Sequence, residues 1–240
     1  MKFIGGRSAA RIGCTALLVL ALTAIVDVAP PLPAAAMTDR LEKLRVVTLF
    51  ALAGIPVKSY VISGASMLPT LAKGDEVLAD LRDAGRQPQR GELIVYWFDP
   101  ATPYAKRVIG LPGDRVALRS GHIILTGEEI AQQPDGTIED DSTGPTEIRD
   151  LFIETPPGCR PYKIARTRDK DGFLEYIDET VVAPGFLYLL GDSRDNSVDS
   201  RFPEHGPVEI ESVIGRIVYR LHPNSGWLAP RESVPDFPVD

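Results

Sequence analysis

The sequence predicts a mainly β fold of antiparallel sheets behind an N-terminal membrane helix. Three observations predict it. Short runs rich in Val, Ile, Tyr and Leu recur from Lys58 onward, separated by turn residues. Glycine and proline number 21 each among 240 residues, which suits many turns and works against a helical bundle. A basic end also precedes an apolar run. Residues 1–45 hold six Lys/Arg against three Asp/Glu, a net +3 in a chain of formal charge −7, so the remainder carries −10.

The first element is the membrane segment. "MKFIGGRSAARIG" is positive and free of acid, and "CTALLVLALTAIV" is apolar apart from two threonines. As a cleavable signal peptide it has a basic start, a short apolar centre and an A-x-A ending at Ala36. As a retained anchor, Ile12 to Ala29 is about the shortest helix that spans a bilayer. Both readings keep Lys2, Arg7 and Arg11 cytoplasmic and lead the rest across. A helix follows, with Thr38 or Asp39 as cap and Leu41 and Leu44 opening its apolar stripe. Its continuation, Val46 to Val57, is too short to span. It is either a core helix ending near Gly54-Ile55-Pro56 or an element lying on the membrane surface.

The strands come next. "SYVIS", "EVLAD" and "GELIVYWF" are three candidates, and "DRVALRSGHIILTG" reads as a hairpin turning at Ser120-Gly121. "DGFLEYIDETVV", "GFLYLLGD" and "SVIGRIVYRL" supply three more. Residues 128–150 are acidic and turn-rich and read as a solvated loop. The Pro-rich stretch after His222 reads as extended or frayed.

Composition excludes some chemistries. The acidic balance is wrong for nucleic-acid binding. Cys14 and Cys159 sit in dissimilar, distant segments and cannot sensibly pair, and two cysteines make no CxxC metal site. Three clusters remain: "GASMLPTLAKGD", "YAKRVIGLPGD" and "GDSRDNSVDSR". Ser66 sits on a small-residue turn stiffened by Pro69, with Gly64 leaving its approach open. Its backbone N–H can serve as an oxyanion donor if no ladder bond uses it. A serine needs a base. The usual base is histidine, and this chain has three, His122, His205 and His222. Strand alternation sends Lys106 to the same face as Val108. It is either a lysine that snorkels to the surface or one taken out of water, which loses its charge and becomes a base. The third cluster is either a solvated charged loop or a buried platform of Arg–carboxylate forks around Ser197.

Together and in this order, the three clusters resemble the serine, lysine and final boxes of the bacterial type I signal peptidases, the Ser/Lys leader peptidases. The resemblance runs from about Val57 to Leu221. It implies Ser66 as nucleophile and Lys106 as general base, with Ser197 hydrogen-bonding and orienting the lysine amine. It implies Asp199 and Arg201 as a supporting ion pair, with Asp192 and Arg194 bracing the loop. Ile62, Met67, Leu71 and Tyr104 match positions lining shallow apolar pockets, suited to small side chains at the first and third positions before the cut. The oxyanion would rest on the Ser66 backbone, because Gly64 stands where some members carry a serine. Ser193 replaces the usual asparagine of the last box. The implied fold is that family's coiled antiparallel β sheets. Residues 1–36 would be the cytoplasmic end and anchor, 37–56 a juxtamembrane helix, 57–114 with 179–222 the catalytic core, 115–178 an accessory β lobe and 223–240 a tail. The partners would be exported preproteins and the bilayer, with no cofactor, metal or nucleic acid. The catalytic part would lie outside the bacterial inner membrane on a single retained span. Other readings are a processing peptidase dedicated to one secreted client and an inactive relative that only binds exported peptides. A self-cleaving Ser/Lys repressor is excluded, because the apolar N-terminus holds no DNA-binding helix-turn-helix.

Overall fold

The computed structural model describes residues 34–142, 144–167 and 175–229. The expected membrane segment, Ile12 to Ala29, lies outside the described residues. Among the described residues no helix is long and apolar enough to cross a membrane.

Helix α1 spans Ala34–Leu52. It closes on Gly54, whose positive φ of 68° lets the chain reverse so that Ile55 N–H reaches Phe50 O at 2.9 Å. Val46, Phe50 and Ile55 pack into a cluster with Leu78, Val218, Tyr219 and Leu221, so this inner face is core. The expected stripe is displaced. Leu41 and Leu44 are exposed. The docked face instead runs Lys43, Val46, Val47, Phe50, at helical spacing. Its polar end is fixed by Lys43 Nζ on Glu76 Oε1 at 2.5 Å and by Tyr219 Oη donating to Glu42 at 3.1 Å. Those two pairs rotate the helix so that Leu41 and Leu44 face outward.

Among the described residues fifteen strands follow, all named pairs antiparallel. The main sheet contains β1 (Val57–Val61), β2 (Glu76–Asp80), β3 (Leu93–Asp99), β4 (Thr102–Gly110), β12 (Phe186–Leu190), β13 (Val208–Glu209) and β14 (Val213–His222), in the order β1-β2-β14-β3-β4-β12-β13. A second sheet joins β11 (Ile177–Val181), β5 (Arg115–Arg119), β6 (His122–Leu125) and β7 (Glu128–Glu129). The β5–β6 hairpin turns at Ser120-Gly121 as expected, with φ of 48° and 74°, the two positive values of a two-residue hairpin turn.

A third sheet joins β10 (Tyr162–Thr167), β9 (Glu147–Thr155) and β8 (Ala131–Asp140). It corrects the reading of residues 128–150 as a loop. β8 is polar on both faces, so no alternation marks it, and pairing with β9 orders it through the backbone. The acidic run has one buried member, Asp140, which accepts from Arg149 Nε at 2.6 Å. The start of the tail is also corrected. β15 (Gly226–Trp227) pairs with β14, and the Trp227 ring meets Tyr219 at 5.1 Å and Phe50 at 6.0 Å. Burying an indole outweighs the disorder that the prolines suggest.

One feature of the sheet prepares the site. β12 pairs with β4 only at Arg107, Val108 and Gly110. The first half of β4 therefore has β3 on one side and an open edge on the other. β1 is likewise an edge strand.

Candidate active site

Alternation along β4 sends consecutive residues to opposite faces, and both are used. Lys106 and Val108 are buried on one face, as the sequence predicts. Lys106 Nζ lies 2.8 Å from Ser66 Oγ, within hydrogen-bond reach. Burial lowers the lysine pKa from 10.5 to about 8. The Asp199 charge opposes that shift, and Arg201 adds to it. A minor fraction of the amine is then neutral near physiological pH, against a trace at the ordinary lysine value, and that fraction can accept a proton.

Ser66 lies on the turn after β1. Its carbonyl accepts from Ser193 N–H at 3.1 Å, which ties the turn to the 191–201 loop. Among the described residues no backbone hydrogen bond uses the Ser66 N–H. Gly64 is exposed, and a β-carbon placed on it would meet nothing within 4 Å. The approach to the hydroxyl is open on that side.

The charged loop is a buried platform, not a solvated one. Asp192, Arg194, Ser197, Asp199 and Arg201 are all buried. Arg201 grips Asp199 with two bonds of 2.8 Å, and Gly191 N–H donates to the same carboxylate at 3.0 Å. Burial alone would raise the Asp199 pKa, but the Arg201 charge and these bonds hold it below the usual carboxylate range. Asp192 and Arg194 do not pair with each other. Asp192 takes Arg107, the residue after the lysine, through bonds of 2.7 and 2.6 Å, and Thr70 Oγ1 at 2.5 Å. Arg194 forks onto Glu154 of β9, and that carboxylate is also held low. Thus β4 grips the start of the loop through Arg107, the neighbour of Lys106.

Ser197 departs from expectation. Its hydroxyl is buried, but it makes no hydrogen bond of normal geometry among the described residues, so the expected bond to Lys106 is not formed here. The space around it is tight. A β-carbon on Gly191 would collide with Ser197 Oγ and the Ser66 carbonyl.

A cleft of about 380 Å³ opens at Ser66 and Lys106. Ile62, Met67 and Tyr104 line it, together with Val95, Ala105 and Val198. Leu71 does not. It is fully buried behind Met67, against Val77 and Leu93. The sequence reading missed Arg107, Glu154, Thr70 and Gly191. Arg107 and Gly191 stand inside the recognised boxes and were open to view. Glu154 lies in an unremarkable "FIETPP" and carries no local signal.

The third sheet supplies the remaining support. Ala165 N–H donates to Asp192 O, and Arg194 N–H donates to Ala165 O, both at 2.9 Å. Thr167 N–H donates to Asp195 Oδ2 at 2.6 Å. The Arg107 guanidinium lies 4.0 Å from the Tyr162 ring. β10 therefore acts as an extra strand against the loop. Among the described residues no group of His, Cys, Asp and Glu side chains is placed to hold a metal ion.

The chain is similar to known proteins along most of its length. A family model described as signal peptidase, peptidase S26, matches residues 42–222. A signal peptidase I of Bacillus caldolyticus is 31% identical over 173 residues, which cover 69% of this chain and 79% of that protein. A signal peptidase I of Leptolyngbya laminosa is 27% identical over 210 residues, covering 80% and 86%. A signal peptidase IB of Staphylococcus aureus strain Mu50 is 27% identical over 187 residues, covering 75% and 85%.

Proposed function

The chain belongs to the signal peptidase family, peptidase S26, and from that premise we propose that it is a serine endopeptidase that removes signal peptides from exported preproteins. The observation that carries the reading is the 2.8 Å approach of the buried Lys106 amine to Ser66 Oγ.

The chemistry follows from that pair. Neutral Lys106 takes the Ser66 proton as Oγ attacks the scissile carbonyl. The oxyanion forms against the Ser66 N–H. The Lys106 ammonium returns the proton to the leaving amine, which departs with the mature protein. Water, deprotonated by the same amine, then releases the signal peptide from the acyl-serine. Ser197 is assigned the orienting of the amine in the substrate complex from its place in the third motif.

The substrate lies extended between two free edges, the end of β1 with Ile62 to Gly64 and the open half of β4. Ile62, Met67 and Tyr104 leave shallow apolar pockets that accept small side chains and reject larger ones by overpacking. The segment Ile12 to Ala29 anchors the protein in the inner membrane, with the catalytic sheets on the extracytoplasmic side.

The test uses the full chain with a preprotein bearing A-x-A before its mature end. Wild type is expected to cut there. Ser66→Ala and Lys106→Ala are expected to lose about a thousandfold or more. A Lys106→Ala variant as fast as wild type would overturn the assignment.

A further inference from the structure

We propose that His205 is a positioning residue for the cleavage chemistry: through Phe98 it holds the Tyr104 ring as a cover over the Lys106 amine and keeps water from it. The inference rests on the Ser66/Lys106 reading and extends it to a residue outside the three motifs.

The geometry is a column of three parallel rings. Phe98 stacks on Tyr104 with centroids 4.9 Å apart and planes 13° apart. It also stacks on His205, at 4.9 Å and 14°. Tyr96, fully buried, meets Tyr104 edge-on at 6.3 Å and His205 at 6.0 Å. At the inner end, Lys106 Nζ sits 5.5 Å from the Tyr104 ring centroid. The strands explain the column. Tyr96 and Tyr104 are cross-strand partners, and Phe98 stands at the register shift of β3 between Trp97 and Asp99, where its ring meets Tyr104. The third ring cannot come from the sheet. It comes from the turn after Arg201.

Two hydrogen bonds fix the imidazole. Nδ1 faces the Gly206 carbonyl at 2.9 Å, so it carries the proton. Nε2 then accepts from Tyr96 Oη–H at 2.7 Å. The neutral ring satisfies both partners, and burial lowers its pKa further from the protonated form. It therefore stays neutral where Lys106 titrates.

The column also has a solvent-facing member. Phe98 is 40% exposed, yet two rings stack on it. A merely hydrophobic role does not require that placement. Tyr104 at its inner end lines the cleft and borders the lysine at once. Loosening the column admits water to Lys106, whose low pKa comes mainly from burial. The other groups acting on that amine are Asp199, Arg201 and Asp192, and on His205 they are Asp199, Lys106 and Glu204. All of these are left in place by the variants below.

The experiment compares full-length wild type with His205→Ala, Phe98→Ala and His205→Phe. Two readouts are taken. One is the pH dependence of kcat/KM on a preprotein. The other is the pH dependence of Lys106 acetylation by acetic anhydride, read by mass spectrometry. Both alanine variants are expected to move the Lys106 midpoint upward by about one unit. His205→Phe keeps a flat ring on Phe98 and is expected to retain the wild-type midpoint. If His205→Ala fails to fold, Phe98→Ala carries the test, since its side chain is partly in solvent. Unmoved midpoints in the alanine variants overturn the proposal. So does a His205→Phe midpoint displaced as far as that of His205→Ala. Labelling needs no turnover, so the midpoint comparison stands even if no preprotein is cut, an outcome that would sink the peptidase reading instead.

Discussion

Glu154 of β9 and Arg194 of the catalytic loop form a buried, two-pronged ion pair, although 40 positions separate them in sequence. The pair joins the third sheet to the loop that carries Ser197 and Asp199. It makes residues outside the motifs part of the support for the loop beside Lys106. Gln132 adds a bond of 2.9 Å to the same carboxylate.

Glu154→Ala leaves a fully buried guanidinium without its partner. The expected loss of stability is about 3–5 kcal/mol. Replacing both residues, as Glu154→Leu with Arg194→Met, is expected to recover much of it, because no lone charge remains. Urea unfolding of the three proteins measures this. An additive double variant would mean that the two residues act independently.

The peptidase rate is expected to rise with pH through a midpoint near 8, where Lys106 loses its proton. The sign follows from the role. Only the neutral amine accepts the Ser66 proton, so the rate falls about tenfold per unit below the midpoint and levels above it. A pH profile of kcat/KM checks this, and a midpoint near the ordinary lysine value of 10.5 would contradict the burial argument.

Gly191→Ala is expected to cost about 1–3 kcal/mol and most of the activity. The added methyl falls on Ser197 Oγ and the Ser66 carbonyl, so the loop and the nucleophile turn must part. Thermal unfolding and a cleavage assay together read it. Wild-type values in both would show that the close approach is not needed.

Gly64→Ser is expected to fold as well as wild type, since its side chain enters open space. The added hydroxyl lies beside the oxyanion position and is expected to raise kcat by up to about tenfold with KM little changed. A fall in kcat would place the oxyanion elsewhere.

Much of the site was legible because it is written in short segments. Ser66 and Lys106 stand in compact motifs, and alternation with Val108 left an inward lysine as one of two readings, the one the structure shows. The Ser120-Gly121 turn was legible for a similar reason, since two positive φ values need particular residues. The acidic hairpin β8–β9 was not. A strand polar on both faces carries no periodic signal, and its order comes from a neighbour. Leu71 was misplaced because an apolar residue near a cleft and one behind it read alike.

The sequence by itself determined the β class, the order of the motifs and the two residues, Ser66 and Lys106, that meet in the cleft, because backbone geometry and local spacing act within a few residues. Only the tertiary structure decided which carboxylate meets which arginine, whether Ser197 bonds the lysine, and that His205 joins the aromatic column. Those contacts depend on strand register and on loops that return from far along the chain. His205 and Tyr96 are 109 positions apart and meet at 2.7 Å. No local pattern encodes that distance. It follows from the way β3, β4 and the loop after Arg201 pack around one buried amine.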